Sequence, residues 1–143
     1  MIICTKPFLL KRCIACLIDY AIIYMFFFVF TMKLGEPVAN YSYEITGPLA
    51  LIPIFFWFFM TVLLEVYFGA TIGNSIVGLK PKSLLRTSGI LSFGQSFKRH
   101  LLDPIDMFLF GFIGIILIKN TDKNQRLGDV WAKTIVVETN VRP

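Results

Sequence analysis

The sequence predicts an all-α integral membrane protein with two transmembrane helices, a third short apolar helical segment, and a short strand-like pairing outside the membrane. Three observations carry this. Of 143 residues, 56% are hydrophobic and only 16% charged, the balance of a membrane chain. The apolar runs Ile14 to Met32 and Leu49 to Phe68 are each long enough, at ~1.5 Å per residue, to cross a ~30 Å hydrocarbon core. A third run, Met107 to Ile118, is too short to cross unaided. Residues 1–143 read as a single membrane domain.

The first run organises the rest. Lys11 and Arg12 precede it, and Asp19 is its one charge. Asp19 lies close to the helical face of Arg12 and about 10 Å deeper. An ionisable group at that depth needs a partner, and it marks a working site or a structural clamp. Thr5 and Pro7 predict the opening of the helix, with the hydroxyl near the cap and the proline in the first turn. A cleaved signal peptide is the rival for this stretch, but its apolar core would be shorter and free of charge. The segment is expected to stay as an anchor.

Lys33 to Gly47 is a short polar connection with little positive charge. Lys6, Lys11 and Arg12 stand before the first span, and Lys80, Lys82, Arg86, Lys98 and Arg99 follow the second. The positive-inside rule therefore predicts a cytoplasmic N-terminus in the cell membrane. Glu65 stands near the inner end of the second span, at a depth comparable with Asp19, where two such acids would want a cation. Its plainer role is a snorkelling residue at the interface.

Gly69 is expected to end the second helix, and Gly69 and Gly73 to permit close backbone approach. Ser92-Phe-Gly-Gln95 has capping-box spacing, so a helix should start near Phe93. It would carry Arg99, Asp103 and Asp106 on one face, unless Asp103 caps a fresh helix opened by Pro104. Gly111 and Gly114 suit a re-entrant hairpin in the third run. That arrangement keeps every Lys and Arg except Lys33 on one side, whereas a third crossing would divide them. Arg126 and Asp129 follow, and the β-branched run ending at Val137 suggests a strand pairing with Val77 to Lys80.

Several chemistries are excluded. Cys13 and Cys16 form a C-x-x-C at a helix entrance, but with Cys4 and the lone His100 they give zinc no ligand set. The glycines of Gly69 to Ser75 have the wrong spacing for a phosphate loop, and Asn74 stands where a lysine would be needed. The +5 charge reflects cytoplasmic flanks, not nucleic acid. No convincing nucleophile, base and orienting group occur together, so neither an enzyme nor a cofactor is expected.

Three blocks together resemble the RDD family of small membrane proteins: Arg12-Cys-Ile-Ala-Cys-Leu-Ile-Asp19, Gly69-Ala-Thr-Ile-Gly73, and Gln125-Arg-Leu-Gly-Asp129 with Thr134-Ile-Val-Val137. The family's arginine and two aspartates fall on Arg12, Asp19 and Asp129. Asn74, where members usually carry lysine, and Pro81, where they carry an apolar residue, depart from the pattern. The resemblance implies a multi-pass membrane protein for which transport has been proposed.

Two functions follow. One is transport of an ion or small solute, in which embedded acids carry the charge and the chain works as an oligomer, because so few spans cannot wall a pathway. The other is a non-transporting assembly or regulatory subunit, bound to another membrane protein, in which the charges only clamp helices. Either way Arg12, Asp19, Glu65, Arg99, Asp103, Asp106, Arg126 and Asp129 are expected to form one polar cluster. In it Asp129 partners Arg12, while Arg99 or Arg126 serves Asp19 and Glu65.

Overall fold

The computed structural model describes residues 6–38, 42–106 and 108–139. Cys4, Thr5 and Met107, named above, lie outside the described residues. Helix α1 spans Leu9–Leu34. Phe8 before it is left-handed, with φ 45°. Pro7 therefore precedes the helix and is not in its first turn. Strands β1 (Glu36–Val38) and β2 (Ser42–Glu44) pair as a small antiparallel hairpin in the connection.

Helix α2, Gly47–Phe68, is the second span. It begins as a 3-10 turn with Pro48 near its start, where a missing donor matters little. It widens to a π-helix at Phe59–Leu63. Such a turn loosens the regular ladder, and here Ser96 of a later helix donates to the Val62 carbonyl at 3.3 Å. Phe26 of α1 stacks on Phe56 of α2, ring centroids 3.8 Å apart, a pair worth about 0.5–1.5 kcal/mol beyond the area it covers. Both helices leave large apolar side chains exposed, among them Tyr24, Met25, Phe28 and Phe55. A lipid surround covers them.

Gly69, at φ 83°, closes α2, since only glycine adopts that backbone freely. Thr71 then caps the short helix α3, Ile72–Ile76, accepting from the Asn74 N–H. Strand β3 is Leu79–Ser83 and runs antiparallel to β4, Thr134–Glu138, from Leu79 opposite Glu138 to Ser83 opposite Thr134. The expected Val77 to Lys80 strand is thus shifted. Val77 and Gly78 form a turn, with Gly78 at φ 70°, and Pro81 sits inside the strand. Leu79, Pro81 and Ser83 point inward while Lys80 and Lys82 point out, the alternation of a half-buried strand.

Helix α4, Phe93–Leu101, starts with the full reciprocal capping box of Ser92 and Gln95. After a turn at Leu102 the short helix α5, Asp103–Asp106, is followed by α6, Phe108–Asn120. The arms Phe93–Asp106 and Gly111–Asn120 are bent by 114°. Two glycines permit the bend. Gly111 has φ 83°, and a β-carbon on Gly114 would come 3.0 Å from the Asp106 carbonyl oxygen. Helix α7, Leu127–Ala132, leads into β4. Lys11 at the start of α1 pairs with Glu138 at the end of β4. The start of α1, the end of α2 and the β3–β4 sheet therefore gather at one end of the molecule.

Candidate functional site

The polar groups converge where α1, α2, α4 and α7 meet that sheet. Asp129, fully buried in the first turn of α7, receives Arg12 Nη1 at 3.1 Å, Arg99 Nη1, and the Arg126 N–H at 3.2 Å. Arg99 is itself buried. Its Nε donates to Glu65 Oε1 at 3.0 Å and its Nη1 to the Thr134 hydroxyl at 3.1 Å. One guanidinium therefore joins α4, α2, α7 and β4, which a planar fork of donors can do and a lysine cannot.

His100 stands between two acids, Nε2 3.4 Å from Glu65 Oε2 and Nδ1 2.8 Å from Asp103 Oδ2. The Tyr20 hydroxyl donates to the same Asp103 oxygen at 3.1 Å, and Arg126 Nη1 lies 2.7 Å from the other. Burial would lower the pKa of Arg126, yet Asp103, Asp129 and Asp106 raise it instead. Burial would likewise raise that of Asp129, but Arg99, Arg126 and Arg12 hold it below the ordinary carboxylate value.

That shift fixes a pH dependence. A carboxylate with a lowered folded pKa stabilises fully above its unfolded value, about 3.9, and the stabilisation is lost as pH falls through the folded value. Melting of the detergent-solubilised protein should show no loss traceable to Asp129 between about pH 7 and about pH 5. A drop in that window that vanishes in Asp129→Asn would contradict the arrangement.

Asp19 and Asp106 behave differently. Asp19 accepts from the Thr71 hydroxyl and the Gly73 N–H, both at 2.7 Å. Asp106 accepts from Leu127 N–H at 2.9 Å and Gly128 N–H at 3.0 Å. Each carboxylate thus caps a short helix, α3 or α7, from across the fold, where the free N–H groups favour negative charge. Neither Arg99 nor Arg126 serves Asp19, and among the described residues it has no Lys or Arg ion pair. The nearest guanidinium atom to Asp106 is Arg126 Nε, at 3.9 Å.

This symmetry has a source in the sequence that hydropathy and spacing alone did not expose. Lys11-Arg12 with Ile18-Asp19 recurs at the same spacing as Lys98-Arg99 with Ile105-Asp106, and Thr71-Ile-Gly73 corresponds to Arg126-Leu-Gly128. Each half supplies a helix ending its motif in aspartate, a short helix capped by that aspartate through a glycine N–H, and one strand of the shared sheet. Both glycines are obligatory. A β-carbon on Gly73 would overlap the Ala15 backbone, and one on Gly128 would come 2.5 Å from the Arg99 carbonyl oxygen. His100, Tyr20, Thr71 and Thr134 are the site residues that sequence reasoning missed, and the repeat is the signal that leads to the helices carrying them.

A cavity of about 770 Å³ lies between α1 and the bent pair. Arg12, Arg99, Arg126 and His100 line it together with Asp19, Asp103 and Asp106. Glu65 lies against Arg99, one of the two arginines expected to serve it, and against His100, and it shares no guanidinium with Asp19. Cys13 and Cys16 are not joined in a disulfide, and no group of acids, histidines and cysteines among the described residues could hold a metal.

Two long apolar helices, a bent third pair and a charge cluster at one end define a small multi-pass membrane protein whose polar core is organised by arginine and aspartate. The sequence profile of the RDD family matches residues 6–133. The chain belongs to the RDD family. No curated protein and no solved structure matches it.

The shared contacts of Asp129 fix an expectation about stability. Removing Arg12 or Asp129 alone should destabilise the protein by about 3–5 kcal/mol, as breaking a buried pair does. The double substitution to leucine would rescue the fold if the two served only each other. Because Asp129 also neutralises Arg99, Arg12→Leu/Asp129→Leu should stay well below wild type in detergent melting curves. Full recovery would show that the Arg99 contact contributes nothing.

Proposed function

We propose that this protein is a carrier rather than an enzyme, moving a cation or protons across the cell membrane as an oligomer. One observation carries the reading. Asp19 and Asp106 stand on the wall of a single cavity, Asp19 with no Lys or Arg ion pair among the described residues and Asp106 with only Arg126 Nε, at 3.9 Å. Carboxylates inside a membrane protein that lack a close counter-ion mark ion and proton pathways, and sites at the junction of internal repeats are usual in carriers. Two spans and a bent pair make too little wall for a pathway, so further chains must complete it.

The proposed orientation places the N-terminus, the segment from Lys80 to Arg99 and the β3–β4 sheet in the cytoplasm, following the basic flanks. The bent pair leaves from β3 and returns to β4, which supports re-entry over a third crossing. In a chain with its native cysteines replaced by alanine, Glu44→Cys should react with an impermeant maleimide on intact cells, whereas Lys82→Cys and Asp122→Cys should not. Labelling of Asp122→Cys alone among the last two would make the bent pair a crossing.

A second reading has its own support. The oxygens of Asp19 and Asp106 are all hydrogen-bonded to helix ends, as in a structural clamp of an assembly subunit. Purified protein in liposomes separates the two. The carrier reading expects proton or cation flux that Asp19→Asn abolishes while the protein remains monodisperse. Absence of flux for every cation tested, together with a second membrane protein that copurifies, would install the clamp reading instead.

A further inference from the structure

We infer that a second cavity, where the end of α2 meets the outer face of β3, seats the phosphate headgroup of an anionic bilayer phospholipid. The site is independent of the carrier reading.

Position comes first. This cavity has a volume of about 570 Å³, and its wall includes Tyr67, Phe68, Gly69, Lys80, Lys82 and Ile90. Phe68 is the last residue of the second span, so the cavity stands at the level where the hydrocarbon ends and lipid phosphates begin. Tyr67 and Phe68 are 78% and 76% exposed, and Ile90 is exposed with them. Aromatic side chains left open at that level are the usual neighbours of lipid headgroups. A ligand arriving here comes from the bilayer.

Charge then selects the headgroup. Lys80 and Lys82 both point outward from β3, two residues and therefore about 7 Å apart on one face. Neither has an ion pair among the described residues. The two acids of the wall are neutralised from outside it, since Glu65 is bonded to Arg99 and faces His100, and Glu138 pairs with Lys11. What remains is the charge of two ammonium groups. Both are also held in place. A β-carbon on Gly69 would come 2.6 Å from Lys80 Nζ, and one on Gly89 would come 3.5 Å from Lys82 Cδ. Each stem thus lies across a glycine instead of reaching out into water, and Lys80 sets its ammonium at the C-terminal end of α2, where carbonyls favour positive charge. Two ammonium groups without a carboxylate of their own suit one phosphate. Basic pockets beside membrane helices take anionic headgroups in this way.

A zwitterionic lipid is the natural competitor, and it is disfavoured because its choline would approach the same two lysines as its phosphate. Native mass spectrometry reads the preference directly, on protein extracted in a neutral detergent and given equal amounts of phosphatidylglycerol and phosphatidylcholine. The expected result is one phosphatidylglycerol retained per chain, preferred by about tenfold or more, the scale of two lysines beside an anionic lipid. Lys80→Gln/Lys82→Gln should abolish the preference. Lys119→Gln/Lys123→Gln removes as much charge from exposed positions outside the cavity and should keep it. Ser88→Trp fills the cavity from an exposed position in its wall. It should abolish retention, which keeps the test valid if the Lys80→Gln/Lys82→Gln protein does not fold. Equal retention of the two lipids, an equal loss in Lys119→Gln/Lys123→Gln, or retention untouched by Ser88→Trp would overturn the inference. Displacement by inorganic phosphate at the concentration of the lipid would overturn it too, by making the cavity a site for a free anion.

Discussion

Arg99→Met should be the most damaging conservative-volume substitution in the chain. It removes the donor to Glu65, Asp129 and Thr134 at once, and Glu65 and Asp129 are both fully buried. Loss of one partner from a buried pair costs about 3–5 kcal/mol because the remaining charge is stranded, and here two carboxylates are stranded together. His100 still faces Glu65, and Arg12 and the Arg126 N–H still reach Asp129, so the two penalties should not add in full. The expected result is a protein that inserts into the membrane but aggregates or melts far below wild type once extracted in detergent. Arg99→Lys should recover little, since one ammonium cannot reach α2, α7 and β4 simultaneously. A monodisperse Arg99→Met protein with an unchanged melting curve would mean that the cluster does not hold these elements together.

The second large effect is expected at the two capped helices. Gly128→Ala and Gly73→Ala each place a methyl against backbone of the facing helix, Arg99 in one case and Ala15 in the other. Backbone cannot rotate aside as a side chain can, so each helix must lift away from its neighbour. Overpacking alone costs about 1–3 kcal/mol. Lifting α7 also lengthens the bonds from Leu127 and Gly128 to Asp106, and lifting α3 lengthens the one from Gly73 to Asp19. Gly94→Ala is the control, because nothing lies within 4 Å of a β-carbon there and alanine is the better helix former. It should be neutral or slightly stabilising. Equal melting temperatures for Gly94→Ala and Gly128→Ala would show that the close approach carries no weight.

The spans were legible because hydropathy over a long window sums many small preferences that all agree. The Ser92/Gln95 cap was legible because its partners are three residues apart. The pairing of Arg12 with Asp129 followed from the ~10 Å between Arg12 and Asp19 along α1, which sends the arginine to an acid elsewhere in the chain. By contrast, Asp19 meets Gly73 and Asp106 meets Gly128 only through the tertiary fold, and no local pattern marks an aspartate as the cap of a distant helix. The π segment at Phe59–Leu63 likewise has no cue within a run of apolar residues. His100 looked inert because a lone histidine gives no metal site. Its role comes from Glu65 on another helix and Asp103 one turn away. The shift of β3 onto Pro81 escaped a β-propensity argument that disfavours proline within strands.

The distribution of opposite charges along the chain has a consequence for how the protein is made. Arg12 is synthesised before Arg99, and the acid that both contact, Asp129, emerges after the two of them. Until α7 docks, a growing chain holds Arg12 and Arg99 in the membrane boundary without that shared counter-ion. A nascent chain in which α7 has not yet docked therefore leaves Arg12 without its carboxylate partner and Arg99 with Glu65 alone. Helix α7 thus acts as a latch that closes only after both arginines are in place.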